Sequence, residues 1–157
     1  MMNLNRRRMF TLGTIAAAGL TVARKALGVE REMPIERKNY PHLDAPVGPY
    51  VHAVSYNGLL FLSGMTAFNT PAQNQDLAAQ AEAVFAQISS ILEAEGTGLE
   101  SLIKVTIFVT EFEALDRFRS VLFDAYQIHL PASALIQVRG LFSPDLKIEV
   151  EAIAALT

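Results

Sequence analysis

Residues 50–63 read YVHAVSYNGLLFLS. Two runs of strand character, Tyr50–Tyr56 and Leu59–Ser63, flank Asn57-Gly58, the dipeptide best suited to the left-handed turn of a tight hairpin. A β-hairpin therefore opens the fold. Downstream, Thr66 to Gln75 carries Asn69, Pro71 and Asn74 and reads as a loop. From Asp76 apolar residues recur at Leu77, Ala81, Val84, Ile88 and Ile91, the spacing of one helix face, and Gly96 suits the left-handed cap that ends such a helix. Ile103, Val105, Ile107 and Val109 alternate with Lys104, Thr106, Phe108 and Thr110, which predicts a strand. Thr110-Glu111-Phe112-Glu113 has capping-box spacing, and Leu115, Phe118, Leu122 and Tyr126 mark the inner face of a second helix that His129-Leu130-Pro131 stops. Two closing strands follow, Ser133–Val138 and Lys147–Ala155, joined by a segment whose Gly140 and Pro144 suit a reversal. The order ββαβαββ predicts an α+β sandwich, with helices on one face of a mostly antiparallel or mixed sheet.

A chain of 157 residues that is 51% hydrophobic suffices for one domain with a full core. The absence of cysteine excludes disulfides, a thiolate nucleophile and Cys-ligated metal. His42, His52 and His129 show no metal-binding spacing, so a metal site is not expected. At the N-terminus, Arg6-Arg7-Arg8 precedes an apolar run from Thr11 to Val22 that is too short for a permanent membrane span, the layout of a signal peptide. Arg7-Arg8-Met9-Phe10-Thr11-Leu12 resembles the twin-arginine export motif, and Arg24 and Lys25 resemble the basic region that follows it. That assigns 1–28 to a signal segment cut near Gly28, 29–49 to a polar lead and 50–157 to the domain. It implies the twin-arginine export machinery as a partner and the periplasm or outer cell envelope as the destination. Without the segment the basic residues fall from 13 to 8 against 16 acids, a formal charge of −8, which disfavours nucleic acid as a partner.

Several stretches, in order and spacing, resemble the Rid/YjgF family of enamine/imine deaminases, once labelled endoribonucleases. They are Ala45-Pro46-Val47-Gly48-Pro49-Tyr50-Val51-His52-Ala53-Val54, Leu60-Phe61-Leu62-Ser63-Gly64-Met65, Lys104–Val109, Leu130-Pro131-Ala132-Ser133 and Lys147–Ala154. The resemblance implies a chorismate-mutase-like sandwich that assembles as a homotrimer, with small-molecule pockets at the subunit boundaries. Carried over position by position, it implies a pocket of Tyr50, Ser63, Gly64, Arg119, Ser133 and Leu135, with Glu149 positioning a water. Each residue also has a plain reading. Tyr50 suits an anchor at the rim, Ser63-Gly64 a turn, Glu149 a solvated strand face and Arg119 an exposed helix position.

One departure bears on chemistry. In the deaminases the segment reads Pro-Ala-Arg, and the guanidinium forks onto the substrate carboxylate. Here Ser133 stands in that place, and a charge-assisted contact is typically worth about 1.5–3 kcal/mol. Arg119, where the deaminases tend to carry asparagine, and Arg139 are candidate replacements. The sequence thus supports a cofactor-free hydrolase of altered substrate choice, or alternatively a non-catalytic metabolite-binding protein. The charge of −8 argues against a nuclease.

Overall fold

A computed structural model describes residues 34–113 and 115–156. The proposed signal segment, with Arg7 and Arg8, lies outside the described residues. Six strands form one sheet: β1 (Glu36–Lys38), β2 (Ala53–Tyr56), β3 (Leu59–Thr66), β4 (Leu102–Val109), β5 (Ala132–Gln137) and β6 (Ile148–Ala155). Helices α1 (Leu77–Ala94) and α2 (Leu115–Tyr126) are set between β3 and β4 and between β4 and β5. The sheet order is β1-β2-β3-β6-β4-β5, antiparallel except for the parallel β4–β5 pair. The α+β architecture expected from the sequence is therefore present.

The hairpin forms as its dipeptide demands, with Asn57 and Gly58 at φ of 52° and 72°. Gly96, at φ of 80°, closes α1. Its N–H donates to Glu93 O and that of Thr97 to Leu92 O, the paired bonds of a Schellman cap. One face of the sheet, carrying Leu60, Leu62, Val105, Ile107, Val150 and Ala152, packs with Val84, Ile88 and Ile91 of α1 and Phe118 of α2 in one buried cluster. The alternation along β6 sends Glu149, Glu151 and Ile153 to the other face.

Three boundaries differ from the sequence reading. The lead segment is not outside the domain: Glu36–Lys38 pairs with β2, so the order is βββαβαββ. Three consecutive charged residues carry no strand periodicity, and this edge strand is held by backbone pairing and by Lys38, whose Nζ lies 2.6 Å from Glu95 Oε2 at the end of α1. Next, β3 runs on to Thr66 through a register shift between Leu62 and Met65, so that Ser63-Gly64 is a bulge within the strand rather than its end. Finally, Thr110 closes β4 instead of opening α2. Its N–H donates to Lys147 O, and Glu111 pairs with the Lys147 ammonium at 2.8 Å.

Candidate functional site

The bulge in β3 lies against a cleft walled by the 44–50 segment on one side and by Thr66, Phe68 and Phe142 on the other. Tyr50, Ser63 and Gly64 all line it. The backbone of Tyr50 turns back on Gly48, its N–H donating to Gly48 O at 2.9 Å. A side chain on Gly48 would press on the Tyr50 ring, 3.0 Å from Cε1, so glycine there lets the ring lie close over the backbone. Ser63 is fixed at both ends: its N–H donates to His52 O at 3.0 Å and its hydroxyl donates to Val51 O at 2.6 Å. With that proton committed, Ser63 Oγ is an acceptor toward a ligand and not a nucleophile.

Glu149 reaches Gly64 from β6. Its carboxylate lies where a Cβ on Gly64 would be, 2.8 Å from Cδ and in collision with Oε1. Glycine at 64 thus seats the carboxylate behind the cleft wall. Burial, with the neighbouring Glu151 charge as a smaller contribution, raises the proton affinity of Glu149 above that of an ordinary carboxylate. No ion pair among the described residues offsets it. Such a group is suited to hold and deprotonate a water.

A single chain does not bring the remaining expected residues to this place. Ser133 and Leu135 lie on β5, with β4 and β6 between them and β3. They pair with Val105 and Ile107, which places them on the helix side of the sheet, whereas Glu149 pairs with Phe108 on the other. Both are exposed. Arg119 is exposed on α2, 3.5 Å from Asp116. Arg139 is exposed beyond the end of β5.

The structure also adds residues that sequence reasoning did not single out. His52, which lies in the first stretch that carries the resemblance but has no role assigned from sequence, is buried and bonded through both ring nitrogens: Tyr40 N–H donates to Nδ1 (3.1 Å), and Nε2 donates to Asp44 O (2.9 Å). Because a backbone N–H can only donate and a carbonyl only accept, the ring is the neutral Nε2–H tautomer. It straps the 40–44 segment to the sheet and so sets the cleft wall that carries Asp44. On the facing side Gln87 of α1 donates its amide to Thr66 O at 2.9 Å, and Phe68 and Phe142 meet edge to face at 5.2 Å. The turns of 44–50 were a detectable signal for Asp44. Nothing in the sequence brings Gln87 or Phe142 to the same spot. Among the described residues no group of His, Asp and Glu side chains could hold a metal ion, and no helix is long and apolar enough to cross a membrane.

Residues 42–156 match the family described as Endoribonuclease L-PSP, and the chain belongs to it. This is the Rid/YjgF family. Among relatives, the 2-iminobutanoate/2-iminopropanoate deaminase of Escherichia coli K12 is 32% identical over 115 residues, 70% of this chain and 89% of that one. Among solved structures, yeast YEO7 superposes with a TM-score of 0.72 at 30% identity, covering 79% of this chain and all of that one. The E. coli TdcF structure with bound serine gives 0.68 at 28% identity, covering 78% and 99%. The fold is theirs: a mixed sheet with two helices.

Proposed function

We propose that this protein is an exported hydrolase of the Rid type, without a cofactor, whose active site is completed between subunits of a homotrimer and whose substrate choice differs from that of 2-imino acid deaminases. The observation that carries the reading is the half-buried Glu149 carboxylate seated on Gly64 beside a cleft that already holds Tyr50 and Ser63. A relative named as an imine deaminase and another solved with bound serine support a small molecule as the ligand class. Assembly follows from the separation of the two halves: Ser133 and Leu135 reach Glu149 only from a neighbouring chain, and a sheet face bare of helices gains by being covered. Hydrolysis needs a water held by Glu149 against a C=N carbon. The altered choice rests on Ser133, which cannot fork onto a carboxylate as arginine does.

The decisive assay compares wild type, Ser133→Arg, Arg119→Ala and Glu149→Gln on 2-iminopropanoate, each as the purified mature protein against the uncatalysed rate. Slow wild-type turnover that Ser133→Arg raises at least tenfold, and that Glu149→Gln removes, is expected. Background rates in every variant would assign the pocket to binding without catalysis. Loss on Arg119→Ala, from a wild-type rate equal to that of the deaminases, would move the carboxylate anchor to α2. Export is tested separately: replacing Arg7 and Arg8 together by lysine is expected to leave the unprocessed chain inside the cell, and unchanged delivery to the envelope would refute the twin-arginine reading.

A further inference from the structure

The cleft has a carboxylate in its lining and no cation beside it among the described residues. Ser63 has spent its proton on Val51 O and presents only lone pairs. Gln87 has turned its amide nitrogen to the carbonyls of Thr66 and Ala83, which leaves Oε1 as its remaining hydrogen-bonding atom. Asp44, on the rim, has no ion-pair partner among the described residues, and neither has Glu149 behind Gly64. His52 has both nitrogens committed to the backbone. Tyr50, Thr66 and Asn69 add neutral hydroxyl and amide groups that can donate, and among the described residues no lysine or arginine lines the cleft. The strand expected to face it from a neighbouring chain contributes Ser133 and Leu135, which are uncharged. The walls carry the aromatic faces of Tyr50, Phe68 and Phe142.

Acceptors, unpaired carboxylates and aromatic faces are the surroundings that stabilise a cationic nitrogen, through charge-assisted hydrogen bonds and cation–π contact. A substrate carboxylate would meet repulsion from Asp44 and find no guanidinium in this chain's cleft, and Arg119, exposed on α2, is 3.5 Å from Asp116. We propose that the cleft selects protonated imines derived from amines, with an apolar or aromatic substituent and no carboxylate beside the nitrogen. This rests on the hydrolase reading above for its chemistry and on the charge of the cleft lining for its selectivity. For benzaldimine the step is PhCH=NH2+ + H2O → PhCHO + NH4+. The water oxygen forms the new bond to carbon after Glu149 takes a proton. Glu149 returns that proton to the amine nitrogen of the resulting carbinolamine, the C–N bond breaks with its electron pair leaving on nitrogen as ammonia, and the hydroxyl proton released as the C=O forms converts ammonia to ammonium. No electron donor or acceptor is needed.

The test separates selectivity from catalysis. Binding of benzylammonium, benzyl alcohol and benzoate to the purified mature protein is measured by calorimetry at low and physiological salt. Turnover of benzaldimine, generated in place from benzylamine by a flavin amine oxidase with dioxygen as the oxidant, is compared with that of 2-iminopropanoate. Benzylammonium is expected to bind at least tenfold more tightly than benzyl alcohol, with benzoate weakest. Asp44→Asn should lower the benzylammonium affinity severalfold, leave benzyl alcohol unchanged, and be rescued by Asp44→Glu. Asp44 is exposed and holds the strap through its backbone carbonyl, so these variants keep the fold. Benzylammonium preference without turnover of either imine would sustain the selectivity and defeat the hydrolase reading. Benzoate binding as tightly as benzylammonium, no binding of any probe, or preferred turnover of 2-iminopropanoate would overturn the proposal.

Discussion

Gly64 and Glu149 form the tightest dependence at the scale of single residues. Gly64→Ala adds one methyl group in the space of a carboxylate, and because that carboxylate ends a flexible side chain, the chain can fold around the change by moving Glu149. The expected outcome is a protein that melts near wild type with activity reduced on the order of a hundredfold, the usual worth of a positioned acid or base. A matching loss of stability would show that Gly64 serves the strand instead. Glu149 itself makes a pH prediction. Its raised proton affinity means the folded protein binds that proton more tightly than the unfolded chain, so its stabilising contribution is complete below the ordinary carboxylate range and lost as pH rises through the raised value. Glu149→Gln should therefore melt above wild type at about pH 8 and together with it at about pH 3.5, while lacking activity at either. Thermal melts at the two pH values check this.

Among elements, the attachment of β1 is the exposed joint. Lys38 and the Tyr40 hydroxyl both bond Glu95, at 2.6 and 2.9 Å, tying the edge strand to the end of α1. Removing the carboxylate leaves a partly buried ammonium with only the exposed Glu36, at 3.5 Å, and an otherwise buried phenol unpaired, so Glu95→Ala is expected to cost about 2 kcal/mol in denaturant unfolding. Hydrogen exchange should show β1 released before the rest of the sheet, and uniform loss would mean that the strand is held by pairing alone. This joint also shows what a sequence conceals. The hairpin at Asn57-Gly58, the alternation of β4 and β6 and the apolar stripe of α1 are local patterns and were readable. Glu36–Lys38 becomes a strand only because β2 offers a free edge. The site divides in the same way. Tyr50, Ser63 and Gly64 sit in stretches whose turn chemistry and family resemblance mark them, whereas His52, Gln87 and Phe142 acquire meaning from neighbours 12 residues or more away along the chain.

The whole molecule is where the account is most exposed, because one chain holds Glu149 and Ser133 on opposite sides of its own sheet. If catalysis uses Glu149 of one subunit with β5 of the next, two inactive variants can complement each other. Glu149→Gln removes the water-holding carboxylate, and Ser133→Trp fills the place on exposed β5 without entering the core. Each alone should be inactive. In trimers formed from an equal mixture, one in four sites joins an intact Glu149 to an intact Ser133. The direct measurement is therefore benzaldimine hydrolysis by the unfolded, mixed and refolded pair, with mixed assembly verified by native mass spectrometry. Recovery to about a quarter of the wild-type rate is predicted for a site shared across a cyclic interface. Mixed trimers that form and stay inactive, or a monomer that is active alone, would contradict it.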